Sequence, residues 1–322
     1  MPTDLSETLV IGITSTALFD LSEADRIFHE GFDLNRAEGV RNYRKYMLEH
    51  ENDKLEDGTA MPLVNALLQL NEHQQSGKPP YVEVVVMSRN SPETGVLMLN
   101  NIRERNLNIS RSAFTGGETV VPYLKAFDVD LFLTTTKIDA VRVIDSDTCA
   151  AAILKEPPKS QADIPEGQVR IAFDGDAVLF SEKSEIVYRT EGLETFQKIE
   201  DSQQNVPLED GPYASLLRKL AKLQEEMGFT VEMSPVRIAI VTARNAPAEM
   251  RVIKTLRHWG VYVDEIFFLG GVEKVRVLEA FRPHIFFDDQ DIHLDPASGT
   301  VPSGKVPHKT GSPLEGDDVE HT

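Results

Sequence analysis

Reactive side chains in the second half of the chain stand at the ends of apolar runs. Their types point to phosphoryl transfer, because a carboxylate that reaches a phosphomonoester can attack phosphorus and form an aspartyl-phosphate. One such group alone is common in solvated loops, whereas several groups in a fixed order are a specific signal. In chain order the groups are Asp174-Gly175-Asp176, Thr242-Ala243-Arg244, Lys274 and Asp288-Asp289.

Each of these residue types has a role in such a reaction. Asp174 is the candidate nucleophile. Asp176 is the candidate general acid and base, which protonates the departing alkoxide and then deprotonates the attacking water. Thr242 and Lys274 would hold the phosphoryl oxygens, together with backbone N–H groups of the turn at Gly175. The set predicts hydrolysis of a phosphomonoester.

The same carboxylates predict a Mg²⁺ site, because this hard cation prefers oxygen ligands. The candidate ligands are the side chain of Asp174, the backbone carbonyl of Asp176, and Asp288 or Asp289. A cation there would screen the repulsion between an anionic nucleophile and a dianionic phosphate. We therefore expect Mg²⁺ as the cofactor.

Alternating strand and helix patterns predict an α/β fold built from Rossmann-like parallel-sheet halves. Five short apolar, β-branched runs are typical of buried parallel strands. In such sheets ligands bind at the carboxyl ends of the strands, which is where the reactive groups stand. The predicted strands are 8–13, 82–87, 168–173, 236–241 and 284–287, and the predicted helices are 60–73, 92–105, 213–227, 247–259 and 272–281.

The first half repeats the framework of the second half and lacks most of its reactive groups. Residues 114–135 align with 268–289 at a constant offset of 154, and eight of the 22 aligned residues are identical. The ionisable groups are replaced: Thr14 and Thr16 stand opposite Asp174 and Asp176, Met87 opposite Thr242, Val120 opposite Lys274, and Thr134 and Thr135 opposite Asp288 and Asp289. These differences predict a duplicated fold whose first copy is degenerate.

Composition and proline content divide the chain into four predicted parts. A degenerate domain covers 1–155, and a polar, proline-containing linker covers 156–167. The catalytic domain covers 168–308 and includes a small cap at about 182–235. Residues 309–322 are rich in acidic and small residues and are expected to form a flexible tail.

The charge and hydropathy of the chain exclude several classes of partner. The formal net charge of −19 disfavours nucleic acid as a partner, because nucleic-acid binding depends on basic patches. No apolar run is long enough to span a membrane, and the N-terminus lacks the basic region of a signal peptide. With one cysteine, Cys149, the chain suits a reducing compartment, so we expect a cytoplasmic protein. A homo-oligomer is compatible with this composition.

These motifs resemble those of the haloacid dehalogenase (HAD)-like phosphatase superfamily. The sequence resembles the type I cytosolic 5′-nucleotidases more closely still, and this resemblance covers roughly residues 8–308. It implies tandem HAD-like halves and Mg²⁺-dependent hydrolysis of nucleoside 5′-monophosphates such as AMP or IMP. The segments that carry it are 169–182, 240–246, 253–260 and 282–290 in the second half, with 14–20 and 46–52 in the first.

The sequence signal for residues that select the substrate is less specific than the signal for the reactive groups. Arg244, next to the second motif, is a candidate substrate contact or a structural ion pair, and Asn245 beside it is a further candidate. Glu49 and Asn52 would contact ribose or base, or would cap a helix. The first half itself has three candidate roles: a scaffold, a contributor to specificity, or an allosteric nucleotide site.

Three alternative functions stay open at this point. The first is the same chemistry on another small phosphomonoester, such as a sugar phosphate. The second is a nucleotide sensor that keeps the fold without turnover. The third is phosphotransfer to an acceptor other than water, which shares the intermediate and differs only in what resolves it. The complete set of Asp174, Asp176, Thr242, Lys274 and Asp288 argues against the sensor, because binding alone has no use for an acid/base carboxylate.

Overall fold

Ten strands form one continuous, mostly parallel sheet in a computed structural model that describes residues 4–160, 164, 167–228 and 234–315. The strands are β1 Leu9–Ile13, β2 Val82–Ser88, β3 Arg111–Phe114, β4 Leu131–Thr134, β5 Ala150–Leu154, β6 Val169–Phe173, β7 Val236–Thr242, β8 Glu265–Phe268, β9 Ile285–Asp288 and β10 Ser303–Lys305. All five strands predicted from apolar runs are present, each within one residue at either end. The predicted α/β fold class is confirmed.

Helices cover both faces of the sheet. They are α1 Ser15–Leu18, α2 Ser22–Leu34, α3 Arg36–Glu49, α4 Met61–Gln69, α5 Val96–Glu104, α6 Val121–Leu124, α7 Lys137–Asp145, α8 Lys183–Glu191, α9 Leu193–Ser202, α10 Ala214–Glu226, α11 Glu249–Trp259, α12 Lys274–Phe281 and α13 Asp291–Ser298, with 3₁₀ turns at Leu70–His73 and Lys125–Phe127. The larger core lies on the face packed by α4, α5, α10 and α11 and runs through both halves. On the opposite face, α6 and α7 cover the first half, and α12 and α13 cover the second.

The five helices predicted from periodicity are α4, α5, α10, α11 and α12. Helix α5 begins at Val96 rather than at residue 92, because the preceding residues form a turn. In that turn the Thr94 amide donates to the Ser91 hydroxyl and the Gly95 amide donates to the Ser91 carbonyl. In the described part of the chain, no helix combines the length and apolar character that a membrane crossing requires.

The two halves have the same strand order and meet in one sheet. The order is β3-β2-β1-β4-β5 in the first half and β8-β7-β6-β9-β10 in the second, and β5 pairs with β10 antiparallel at the junction. Residues that align between the two halves make equivalent backbone hydrogen bonds. The Thr14 amide donates to the Leu133 carbonyl at 3.0 Å, and the Asp174 amide donates to the Phe287 carbonyl at 2.8 Å. The sheet therefore contains the same arrangement twice.

A helical pair is inserted at the same place in each half. Isolated bridges close the base of each insertion, Phe19 with Asp57 in the first half and Phe180 with Asp210 in the second. The insertion consists of α2 and α3 in the first half and of α8 and α9 in the second. The predicted cap at about 182–235 also spans α10, but α10 packs on the sheet through Leu217 and other core residues.

Residues 309–315, which belong to the tail that the sequence predicts to be flexible, contact both halves of the chain. The Thr310 hydroxyl donates to Asp145 of α7 at 2.6 Å, and the Ser312 hydroxyl donates to Glu182 at the base of the cap at 2.7 Å. Leu314 is buried. The rest of that prediction, 316–322, and residues 161–163 and 165–166 of the predicted linker lie outside the described residues.

Candidate active site

The carboxyl ends of three adjacent strands bring the predicted reactive residues together. Strand β6 lies between β7 and β9, and its last residue, Phe173, pairs with Ile240 and Phe287. Asp174 therefore leaves the sheet beside Asp288 and the end of β7. A Cβ at Gly175 would lie 3.2 Å from the Thr242 hydroxyl, so a glycine lets this turn approach β7 closely.

Lys274 joins two carboxylates at the centre of the site. Its ammonium lies 2.7 Å from Asp174 and 2.7 Å from Asp288, and all three side chains are buried. Burial raises the pKa of Asp174 to about 6, with Lys274 opposing the rise and Asp288 adding to it. Burial alone would lower the pKa of Lys274, but Asp174 and Asp288 raise it above its usual value. The lysine therefore stays protonated at neutral pH.

Asp289 is a buried carboxylate that lacks hydrogen-bond donors. Neither of its side-chain oxygens accepts a hydrogen bond from a described residue. The nearest imidazole nitrogen, Nε2 of His308, lies 3.5 Å from Oδ2, which is ion-pair distance rather than a well-formed hydrogen bond. Burial raises the pKa of Asp289 well above its usual value, and the charges of Asp288 and Asp174 raise it further. Such a group is stable as an anion only beside a cation.

Asp174, Asp288 and Asp289 fit a divalent cation with oxygen ligands. Each offers one carboxylate oxygen, and these oxygens all lie within 4.8 Å of one another. Mg²⁺ binds carboxylate oxygens and retains several waters, and carboxylates with unused lone pairs are free to coordinate it. These three residues would hold the ion, with the backbone carbonyl of Asp176 as the further ligand predicted from the sequence.

Asp176 and Arg244 form a buried bidentate ion pair. Nε and Nη2 of Arg244 donate to the two carboxylate oxygens of Asp176 at 2.7 and 2.6 Å. Burial would lower the pKa of Arg244, but Asp176 and Glu200 raise it above its usual value. The Arg244 side chain is 2% exposed, so the geometry favours the structural ion pair over the substrate contact.

The other candidate specificity residues contact parts of the chain outside the Asp174–Lys274–Asp288 cluster. Asn245 packs against the turn after β8, where a Cβ at Gly270 would lie 3.0 Å from the Asn245 Cβ. Glu49, at the end of α3, is exposed and lies 3.8 Å from Lys45. The Asn52 side chain accepts from Asn100 at 3.3 Å. The contacts of Glu49 and Asn52 lie within the first half, and their role in substrate binding stays a prediction.

Several residues around the site carry no signal in the sequence. Burial raises the pKa of Glu185 of α8, Arg189 opposes the rise, and the charges of Asp176 and Asp174 add to it. His293 of α13 has a pKa lowered to about 4, mainly by burial and then by Lys274. Glu200 of α9 binds Arg244. Each reaches the site only through tertiary packing, so no local motif marks it.

Mg²⁺ should stabilise the protein more as the pH rises. Burial raises the pKa values of Asp174, Asp288 and Asp289 above those of the unfolded chain. Without metal, their contribution to stability therefore falls as the pH rises above the usual aspartate pKa of about 4. For Asp174 this loss extends through its folded-state pKa of about 6. Mg²⁺ binds the deprotonated acids and should remove this loss. The increase in Tm on adding Mg²⁺ in place of EDTA is therefore expected to be larger at about pH 7.5 than at about pH 5.

Thermal unfolding with each additive at both pH values checks this. Because Mg²⁺ and EDTA are compared at the same pH, the titration of groups far from the site affects both Tm values equally and cancels. Asp289→Asn is the matched variant and should reduce the Mg²⁺-dependent increase in Tm, because it removes one buried ligand. An increase that is the same at both pH values, or one that Asp289→Asn leaves unchanged, would show that the ion does not bind these acids.

Comparison with known proteins places this geometry in a family. The family model described as 5′-nucleotidase matches residues 1–313. Human cytosolic 5′-nucleotidase 1B is 34% identical over 302 residues, which is 92% of this chain and 48% of that protein. The chain thus spans about half the length of this curated relative. No solved structure matches the chain significantly. The fold, the site and these matches together show that the chain belongs to the 5′-nucleotidase family.

Proposed function

We propose that this protein is a Mg²⁺-dependent phosphomonoester hydrolase that converts nucleoside 5′-monophosphates to nucleoside and phosphate. The observation that carries the proposal is the buried Asp174–Lys274–Asp288 array with the unsatisfied Asp289 beside it. It combines a nucleophile, a fixed positive charge and a cation site at one sheet edge. Family membership supports the nucleotide as substrate, and the resemblance in sequence favours AMP or IMP.

The first chemical step transfers the phosphoryl group to the protein. A carboxylate oxygen of Asp174 bonds to phosphorus while the bond from phosphorus to O5′ of the nucleotide breaks. Asp176 gives its proton to O5′, so the nucleoside leaves as an alcohol. Lys274 and the Thr242 hydroxyl donate to the phosphoryl oxygens. A bound Mg²⁺ ion would add the positive charge that lets two anions approach.

The second step restores the protein. Asp176, now a carboxylate, takes a proton from water as the water oxygen bonds to phosphorus. The bond from phosphorus to the Asp174 oxygen breaks, which releases phosphate and regenerates the nucleophile. Lys274 keeps its charge throughout, because its pKa lies above the usual value. Both steps use the same pair of carboxylates in alternating roles.

Phosphate release from a substrate panel tests this proposal. The panel contains AMP, IMP, dAMP, UMP and glucose 6-phosphate, each assayed with Mg²⁺ and with EDTA, and Asp174→Asn serves as the background for contaminating phosphatases. We expect release that requires Mg²⁺ and is concentrated in the nucleotides. Release from the sugar phosphate alone would keep the chemistry and reject the nucleotide. No release from any substrate by folded protein would favour a nucleotide sensor.

We also propose that the protein acts in the cytoplasm. The name of the human relative supports this location, since that protein is described as cytosolic. The single cysteine supports it as well, because a chain with one cysteine has no need of an oxidising compartment to form intrachain disulfides.

A further inference from the structure

The candidate acid, Asp176, is fixed by a residue that is itself fixed from the cap. Arg244 binds both carboxylate oxygens of Asp176, and its Nη1 donates to Glu200 of α9 at 2.5 Å. The ring of Phe196, also on α9, lies 5.3 Å from the guanidinium carbon. The guanidinium is thus enclosed by protein groups, and its contacts lead from the acid to the cap.

Glu200 connects three separate elements through one carboxylate. Its Oε2 accepts from Arg244, which follows β7, and its Oε1 accepts from Arg251 of α11 at 2.9 Å and from the Ser184 hydroxyl of α8 at 2.9 Å. Glu200 is 1% exposed. A buried carboxylate is tolerated only when it is paired and hydrogen-bonded in this way. With Asp176 ionised, as in the second chemical step, the two carboxylates balance the two guanidinium groups; with Asp176 protonated, as the first step requires, the network carries one positive charge.

The degenerate half provides an internal comparison. Arg89 aligns with Arg244, but Thr16 stands where Asp176 would be. The Arg89 side chain is 43% exposed, donates to the Gly117 carbonyl at 3.1 and 3.2 Å, and lies 3.5 Å from Asp139. The arginine is kept in both halves, but it is buried in the ion-pair network only in the half that has the acid. Burial of the guanidinium therefore goes with the presence of the acid rather than with the fold.

We infer that Arg244 and Glu200 are positioning residues for the acid step, and that Glu200 connects the cap helix α9 to the positioning of Asp176. Arg244 holds the Asp176 carboxyl in one orientation toward the leaving-group oxygen, and Glu200 holds Arg244. This inference rests on the proposed function. Misplacing a catalytic group by about 1 Å lowers the rate up to about 100-fold. The loss should fall on the step in which Asp176 donates its proton.

A pair of substrates that differ only in the leaving atom isolates this step. AMP leaves as an alkoxide and needs a proton, whereas the analogue with sulfur in place of O5′ leaves as a thiolate and does not. Glu200→Gln keeps the side-chain volume but removes the charge that holds Arg244. We expect kcat/KM for AMP to fall about 10- to 100-fold and kcat/KM for the sulfur analogue to stay within about threefold. This ratio reports the steps up to departure of the leaving group and not the later hydrolysis step, in which Asp176 is the base.

Two further variants complete the test. Arg244→Lys keeps the positive charge but loses the two parallel hydrogen bonds to Asp176, so it should show the same selective loss on AMP. If Glu200→Gln fails to fold, Arg244→Lys serves as the test variant in its place. Glu194→Gln, on the same helix and paired with Lys198 at the surface, is the matched control and should keep wild-type rates. Thermal unfolding of each variant verifies the fold.

The outcomes separate this inference from the function it rests on. Equal losses on AMP and on the sulfur analogue would assign Glu200 and Arg244 a structural role and overturn the inference. Unchanged rates on both substrates in folded variants would overturn it as well. If the wild-type protein released phosphate from neither substrate, the proposed function itself would fail.

Discussion

Replacing Asp174 with asparagine is expected to lower kcat for phosphate release by about 10⁴-fold or more, with folding intact. Asparagine has the same shape as aspartate, but its amide does not form the phosphoryl bond that the first step requires. The side chain lies 2.7 Å from Lys274, and an amide oxygen keeps that hydrogen bond. Steady-state phosphate release and thermal unfolding measure the two parts of this prediction.

The degenerate half supplies the matched control for this variant. Thr14 occupies the position of Asp174 in the first sheet half, and its amide makes the equivalent hydrogen bond, to Leu133. Thr14→Asn introduces the same residue at the equivalent turn and should leave the rate unchanged. Substantial activity in Asp174→Asn, or an equal loss in both variants, would reject Asp174 as the nucleophile.

Replacing Lys274 with methionine is expected to affect both activity and stability. The ammonium lies 2.7 Å from each of two buried carboxylates, Asp174 and Asp288. Removing one partner of a buried ion pair costs about 3–5 kcal/mol, because the remaining charge is left uncompensated. Loss of a charged donor to the phosphoryl oxygens should also lower kcat by about 10²- to 10³-fold.

Urea unfolding of Lys274→Met in EDTA and in Mg²⁺ measures the stability part. Mg²⁺ should restore part of the loss, because it supplies positive charge beside the same carboxylates. Lys254→Met, which removes a lysine bound to Gln204 and Asn205 near the surface, is the control and should cost little. Equal stability of Lys274→Met and wild type in EDTA would contradict the ion-pair account.

The grouping of Asp174, Thr242 and Asp288 at one sheet edge could be predicted from the sequence, because it follows from sheet geometry. Asp174, Thr242 and Asp288 each stand at the carboxyl end of a strand with a clear apolar run. Neighbouring parallel strands bring such ends to one edge, so local patterns predict a long-range cluster. The internal repeat supported the same prediction, because residues common to both halves were assigned to the frame and the ionisable residues present only in the second half to the predicted chemistry.

Other features depend on contacts that no local pattern encodes. Strand β10 has only three residues, Ser303–Lys305, and no apolar run, yet it joins the two halves into one sheet. Composition predicts a flexible tail over residues 309–322, and in the described part of that segment Thr310 binds Asp145, 165 residues away in sequence. Glu200 sits on an amphipathic cap helix, where an acidic residue is normally taken for a solvated one.

Trapping the phosphorylated residue during turnover tests the central claim most directly. Rapid quenching followed by borohydride reduction converts an aspartyl-phosphate to homoserine, which peptide mass spectrometry assigns to one position. With AMP and Mg²⁺, we predict homoserine at position 174 in the wild-type protein and none in Asp174→Asn. Homoserine at Asp176 or Asp288, or the same yield from Asp174→Asn as from wild type, would contradict the account.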